Sequence, residues 1–231
     1  MPAFSKNYDG KAIGMVAKQN RDPHHNAPDN SRVVLLLIDV INDLEFDGGN
    51  QLLNQALPMA DALCALKRRA KQAGVPAIYA NDNFGRWRSD FAKLVEYCQA
   101  PHIRGNPIVR RLAPEPDDYF ILKPKHSAFY QTNLDTLLKY LGADTVIVTG
   151  IAGDICVLFT ANDAYMRDLK VLVPPDCTAS KDPEENRRVL TLMQRVLKAD
   201  IKPSLEIGFT NDKNYRVRAT MTSASSVRKT I

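Results

Sequence analysis

Residues 33–38 read VVLLLI, an apolar run with no polar position. A strand with only one wet face alternates apolar and polar residues, so a run like this fits a strand buried on both faces, in the middle of a parallel sheet. Thr145 to Val148 repeats the pattern, and Val75–Ala80, Tyr119–Leu122 and Lys170–Val173 read as shorter strands. Helical patterns lie between them. From Gln51 to Ala73, Leu52, Leu53, Ala56, Leu57, Ala60, Leu63 and Leu66 give one apolar face, and Gly74 ends the helix. Further helices are expected at Phe91–Gln99, from Thr132 or Asn133 to Leu141, and at Asp182–Lys198. Strands that alternate with helices predict an α/β fold: a doubly wound, Rossmann-like, mostly parallel sheet of about six strands with helices on both faces. The sixth strand is expected within Ile201–Ile207.

The 231 residues divide by pattern into an N-terminal arm (1–30), a single domain (31–210) and a basic C-terminal tail (211–231). The net charge is +5, but from Lys202 onward there are six Lys or Arg against two acids, so most of the surplus lies near the end. No helix-turn-helix, zinc finger or aromatic-basic platform accompanies it, and nucleic acid is not expected as a partner. No apolar stretch approaches the ~20 residues of a membrane span, and no secretory leader pattern opens the chain. Cys64, Cys98, Cys156 and Cys177 are too scattered for a disulfide framework or a zinc set. A cytoplasmic protein without a membrane partner is expected.

Three polar residues stand at strand ends. Asp39 closes the first strand, Lys123 the third, and Cys156 follows the fourth across a turn marked by Gly150 and Gly153. In a doubly wound sheet the carboxyl ends share one edge, where ligands bind, so these three are brought toward one crevice. The set comprises a nucleophile, a base and a cation: Asp39 can take the thiol proton, and the Lys123 ammonium favours both anions. A thiol at a helix start also gains from the local N–H groups. Arg86, Trp87 and Arg88, in the loop after the second strand, are candidate substrate contacts, suited to a carboxylate or an aromatic group.

The stretches LLLIDVINDLEF, KPKHSAFYQTNL and VTGIAGDICVLFTANDA, with VPPDCTAS behind them, resemble the isochorismatase-like cysteine hydrolase superfamily. That superfamily includes nicotinamidases, N-carbamoylsarcosine amidohydrolases, and ureidoacrylate and biuret hydrolases. The resemblance implies that Asp39, Lys123 and Cys156 are catalytic. Lys123 is preferred over Lys125 because the family's lysine precedes the Ser of S-A-F, here Ser127, by four positions. It also implies a cis peptide between Ile151 and Ala152, and an oxyanion hole made by the Ala152 and Cys156 N–H groups.

Zinc-containing nicotinamidases carry Asp-x-His after the second strand, where this chain has Asp82, Asn83 and Phe84. No metal or other cofactor is therefore expected. Retention of Cys156 favours acyl transfer at the C–N bond of a small amide or carbamoyl substrate, through a thioester. A vinyl-ether hydrolase of the isochorismatase type and a non-catalytic binding protein on the same fold are the alternatives. By resemblance the chain is expected to form a homo-oligomer.

Overall fold

The computed structural model describes residues 30–83 and 90–209. Arg86, Trp87 and Arg88 lie outside these, as do nearly all of the arm and the tail.

Among the described residues six strands form one sheet, and every pairing is parallel: β1 (Val33–Ile38), β2 (Ala77–Asp82), β3 (Tyr119–Lys123), β4 (Thr145–Ile151), β5 (Lys170–Leu172) and β6 (Thr178–Ala179). The order is β3-β2-β1-β4-β5, with β6 also pairing β4. The chain winds outward in one direction from β1 and later in the other from β4. The reversal lies between these two strands, whose register runs from Val33 beside Thr145 to Ile38 beside Gly150.

The two faces of β1 bury different helices. Val33, Leu35 and Leu37 belong to the core under α1 (Gly49–Gln72), which presents Leu52, Ala56, Met59, Ala60, Leu63 and Leu66. The helices α2 (Phe91–Cys98) and α3 (Asn106–Arg111) close the same side. Val34, Leu36 and Ile38 belong to the opposite core, against α4 (Leu134–Leu141), α5 (Leu158–Tyr165) and α6 (Pro183–Val196). All six residues of β1 are buried, as an uninterrupted apolar run requires.

Two details differ from the sequence expectation. Ile201–Ile207 is not a strand: it holds a short 3-10 turn at Ser204–Glu206, and Asp176 accepts hydrogen bonds from the Ser204 N–H and hydroxyl at 2.8 and 2.6 Å. The sixth strand is the two-residue β6 instead, which extends the sheet only where β4 outlasts β5. The connection between α2 and β3, read from its prolines (Pro101, Pro107, Pro114 and Pro116) as irregular, also contains a helix, α3, with Pro107 in its first turn, where a missing N–H costs nothing. No helix among the described residues is long and apolar enough to cross a membrane.

Candidate active site

Asp39 leaves β1 with a left-handed backbone, φ 51°. Strict alternation would send its side chain to the α1 face with Leu35 and Leu37. Instead, the side chain meets Lys123, which shares its face with Ile121 on the other side of the sheet. Aspartate tolerates the left-handed region better than most residues. The turn is held at both ends, since the Asp39 N–H donates to Ala80 O at 3.0 Å and Asp39 Oδ1 accepts the Asp82 N–H at 2.7 Å.

Lys123 is fully buried at the end of β3. Its ammonium lies 2.8 Å from Asp39 Oδ2 and 4.0 Å from Asp82 Oδ2, and donates to Lys125 O at 3.3 Å. It also lies 3.6 Å from Cys156 Sγ. The crevice thus unites one side chain each from the ends of β1 and β3 and the turn after β4.

That turn needs two glycines. Gly150 has φ 108°, and a Cβ there would lie 2.1 Å from Ile38 O. At Gly153 a Cβ would lie 1.9 Å from Asn186 Oδ1, so the Asn186 side chain of α6 would have to leave the turn. The Ile151–Ala152 peptide between them is cis. The Ala152 carbonyl then accepts the N–H groups of Ile155 and Val157, both at 3.1 Å, on either side of the Cys156 N–H. Gly153–Val157 is a wide π-type turn leading into α5, so Cys156 precedes the regular helix rather than starting it. Ser180 Oγ braces the turn, accepting the Asp154 N–H at 3.1 Å while donating to Asn186 Oδ1 at 2.9 Å.

The charges in the crevice are strongly coupled. Burial pushes the Asp39 carboxyl above its ordinary range, although Lys123, the thiol and the Asp82 N–H all pull it down. Burial acts the other way on Lys123, but Asp39, Cys156 and Asp82 outweigh it and keep the ammonium charged. Cys156 is pushed up to about 12 by burial and by the Asp39 carboxylate, with Lys123 opposing. The resting sulfur is therefore a thiol beside a carboxylate of raised basicity. The helix start favours a thiolate; burial of the thiol, reinforced by the Asp39 carboxylate, reverses that balance.

The structure brings Asp39, Lys123 and Cys156 together and places Ala152 at the head of the turn that carries Cys156. It also brings in a residue that sequence reasoning passed over. His126 Nδ1 lies 3.9 Å from Cys156 Sγ, and the ring packs against Phe159 with centroids 5.6 Å apart. The signal was its place in KPKHSAFY, three residues after Lys123.

A profile of the isochorismatase domain matches residues 33–200, well over half of the chain. The chain belongs to the isochorismatase family. An isochorismatase-family protein of Bacillus subtilis, YaaI, described as uncharacterized, is 45% identical over 173 residues, covering 75% of this chain and 94% of that protein. The isochorismatase of the same organism is 31% identical over 167 residues, covering 71% of this chain but only 53% of that enzyme. Among solved structures, N-carbamoylsarcosine amidase from Thermoplasma acidophilum superposes with a TM-score of 0.57 at 26% identity, covering 75% of this chain and 97% of that one. This isochorismatase-family hydrolase is thus similar both to a protein named isochorismatase and to one named N-carbamoylsarcosine amidase.

Proposed function

We propose that this chain is a cysteine-dependent hydrolase of a small amide or carbamoyl C–N bond, working through a thioester and needing no metal for the bond cleavage. One observation carries the reading: Cys156 Sγ stands 3.6 Å from an ammonium that is itself 2.8 Å from the Asp39 carboxylate. Sulfur attacks the carbonyl carbon as its proton passes to Asp39. The raised pKa of Asp39 suits it for this, because a stronger base takes a thiol proton with less penalty. Lys123 stays charged and offsets the negative charge shared by carboxylate and sulfur. The Ala152 and Cys156 N–H groups are assigned to the oxyanion, each worth roughly 3 kcal/mol in the transition state. The tetrahedral species expels the nitrogen and leaves an acyl-Cys156, which water hydrolyses.

The test is product release by wild type and Cys156→Ala on acetamide, nicotinamide, N-carbamoylglycine, N-carbamoylsarcosine and ureidoacrylate, with and without chelator, and on isochorismate. Release from an amide or carbamoyl compound that requires Cys156 and ignores chelator supports the proposal. The similarity to the Bacillus subtilis isochorismatase gives the second reading its place. Turnover of isochorismate alone, undiminished in Cys156→Ala, would select it.

A further inference from the structure

On the proposed cysteine chemistry, we infer that His126 is a second proton-transfer residue, serving the leaving nitrogen while Asp39 serves the sulfur. The two groups are differently placed. The Asp39 side chain is 8% exposed and held by Lys123 and the Asp82 N–H. His126 is exposed, at the open side of the sulfur, with its ring against the half-exposed Phe159.

His126 is also held from both sides. Lys125 O accepts the Lys123 ammonium. Ser127 Oγ donates to Asp163 of α5 and accepts the Phe129 N–H at 3.1 Å, while the Ala128 N–H donates to Thr160 Oγ1, also of α5, at 3.0 Å. The segment that carries His126 is thereby tied to the same helix that follows Cys156, and the ring itself packs against Phe159 of that helix. Its Nδ1 lies 3.9 Å from the sulfur. An atom bonded to the carbon that sulfur attacks lies two bonds from Sγ, in the space between Sγ and the solvent-side groups. A leaving nitrogen there comes within the roughly 2.6–3.2 Å reach that proton transfer needs.

The steps balance as follows. The S–H proton goes to Asp39 as the S–C bond forms and the carbonyl electron pair moves to oxygen. As the pair returns, the C–N bond breaks, and nitrogen takes a proton from the His126 imidazolium. The product amine or ammonia leaves. Water then gives a proton to the neutral imidazole while its oxygen attacks the thioester. The C–S bond breaks, and sulfur recovers its proton from Asp39. Thiol, carboxylate and imidazolium are all restored, and one water is consumed.

The test exploits the leaving group. Acylation of Cys156 by 4-nitrophenyl acetate releases a stable phenolate that needs no proton, whereas acylation by an amide needs one. In full-length His126→Asn, turnover of every panel amide that the wild type hydrolyses should fall by about 10²–10⁴-fold. The nitrophenolate burst should keep its wild-type rate and be followed by a slowed steady state, as deacylation loses its base. Wild-type amide turnover in His126→Asn would overturn the inference. A burst that falls in step with amide turnover would overturn it too, because His126 would then only hold the loop. If the wild type itself gives neither burst nor amide turnover, the proposed cysteine chemistry fails and takes this inference with it. An active wild type beside an equally active His126→Asn removes His126 alone.

Discussion

Lys67 and Lys123 are both buried against an aspartate, at 2.6 Å to Asp118 and 2.8 Å to Asp39, with all four side chains no more than 8% exposed. By distance and burial they are the same interaction. Their surroundings differ. Lys67, on α1, also reaches Glu115 Oε1 at 3.4 Å and Ala113 O at 3.5 Å and lies over the Tyr79 ring, while Asp118 accepts the Glu115 N–H. Its neighbours are fixed acceptors, and the pair fastens the segment before β3 to α1. Lys123 reaches a sulfur whose proton can move. A buried pair alone is weak evidence even for stability. What makes one of these two a candidate for chemistry is a nucleophile with an open side next to it.

The largest effects should come from removing each lysine. Lys123→Met leaves Asp39 buried without its counter-charge and should cost about 3–5 kcal/mol in urea unfolding, with amide turnover lost. Lys67→Met should cost a similar ~3–5 kcal/mol, yet the folded protein should turn over at the wild-type rate. A folded Lys67→Met that is slow would break the distinction.

The next effect separates the roles within the candidate catalytic pair. Asp39→Asn should reduce turnover by about 10²–10⁴-fold. Alkylation of Cys156 by iodoacetamide should become faster, not slower. The carboxylate is one of the two causes that hold the thiol at about 12, and removing it lowers that value, so more thiolate is present in mildly alkaline buffer. Slower alkylation in Asp39→Asn would mean that the carboxylate activates the resting sulfur, contrary to this electrostatic account.

Gly150→Ala tests how tightly β1 and β4 must meet for the pair to form. Its Cβ would lie 2.1 Å from Ile38 O, one residue before Asp39, in a backbone of φ 108°. A loss of about 2–4 kcal/mol is expected, with turnover falling as Asp39 shifts. An unchanged melting temperature would show that the contact is soft.

The two pairs were not equally legible in the sequence. Asp39, Lys123 and Cys156 end elements whose type is plain from unbroken apolar runs, and parallel topology brings such ends together. Lys67 instead lies within a helical pattern, where nothing local says that Asp118, 51 positions on, will fold over it. Likewise β6 has two residues, too few for any period, and it exists because β4 runs past β5. The Ile201–Ile207 stretch has strand-like apolar residues, but its polar groups go to Asp176 and Arg69, which donates to Ser204 O. His126 was visible in its motif, yet its meaning depends on where α5 holds the loop. Local pattern carried the sheet and the three strand-end residues, whereas long-range packing decided the rest.

The smallest effect bounds the comparison from the solvent side. Lys71 sits one helical turn from Lys67 and bonds Asp117 at 2.7 Å and also Glu115, but its side chain is 42% exposed. Burial alone would lower the Lys71 pKa; Asp117 and Glu115 outweigh it and raise it. The Lys71 hydrogen bond depresses Glu115, and Asp117 is likewise lowered despite its partial burial. Two carboxylates with depressed values contribute stability that is complete above their ordinary range and lost as pH falls through the depressed one. A lysine with a raised value contributes stability that is complete below its ordinary range and lost as pH rises through the raised one. Lys71→Ala should therefore cost about 0.2–1 kcal/mol near neutrality, and that cost should shrink in acid, in strong alkali and in high salt. The Lys67→Met cost should persist in high salt, because a buried pair is screened much less. If urea unfolding gave both variants the same cost and the same salt response, burial would not be what sets Lys67 apart. Lys123, equally buried, would then owe its effect on turnover to the sulfur alone.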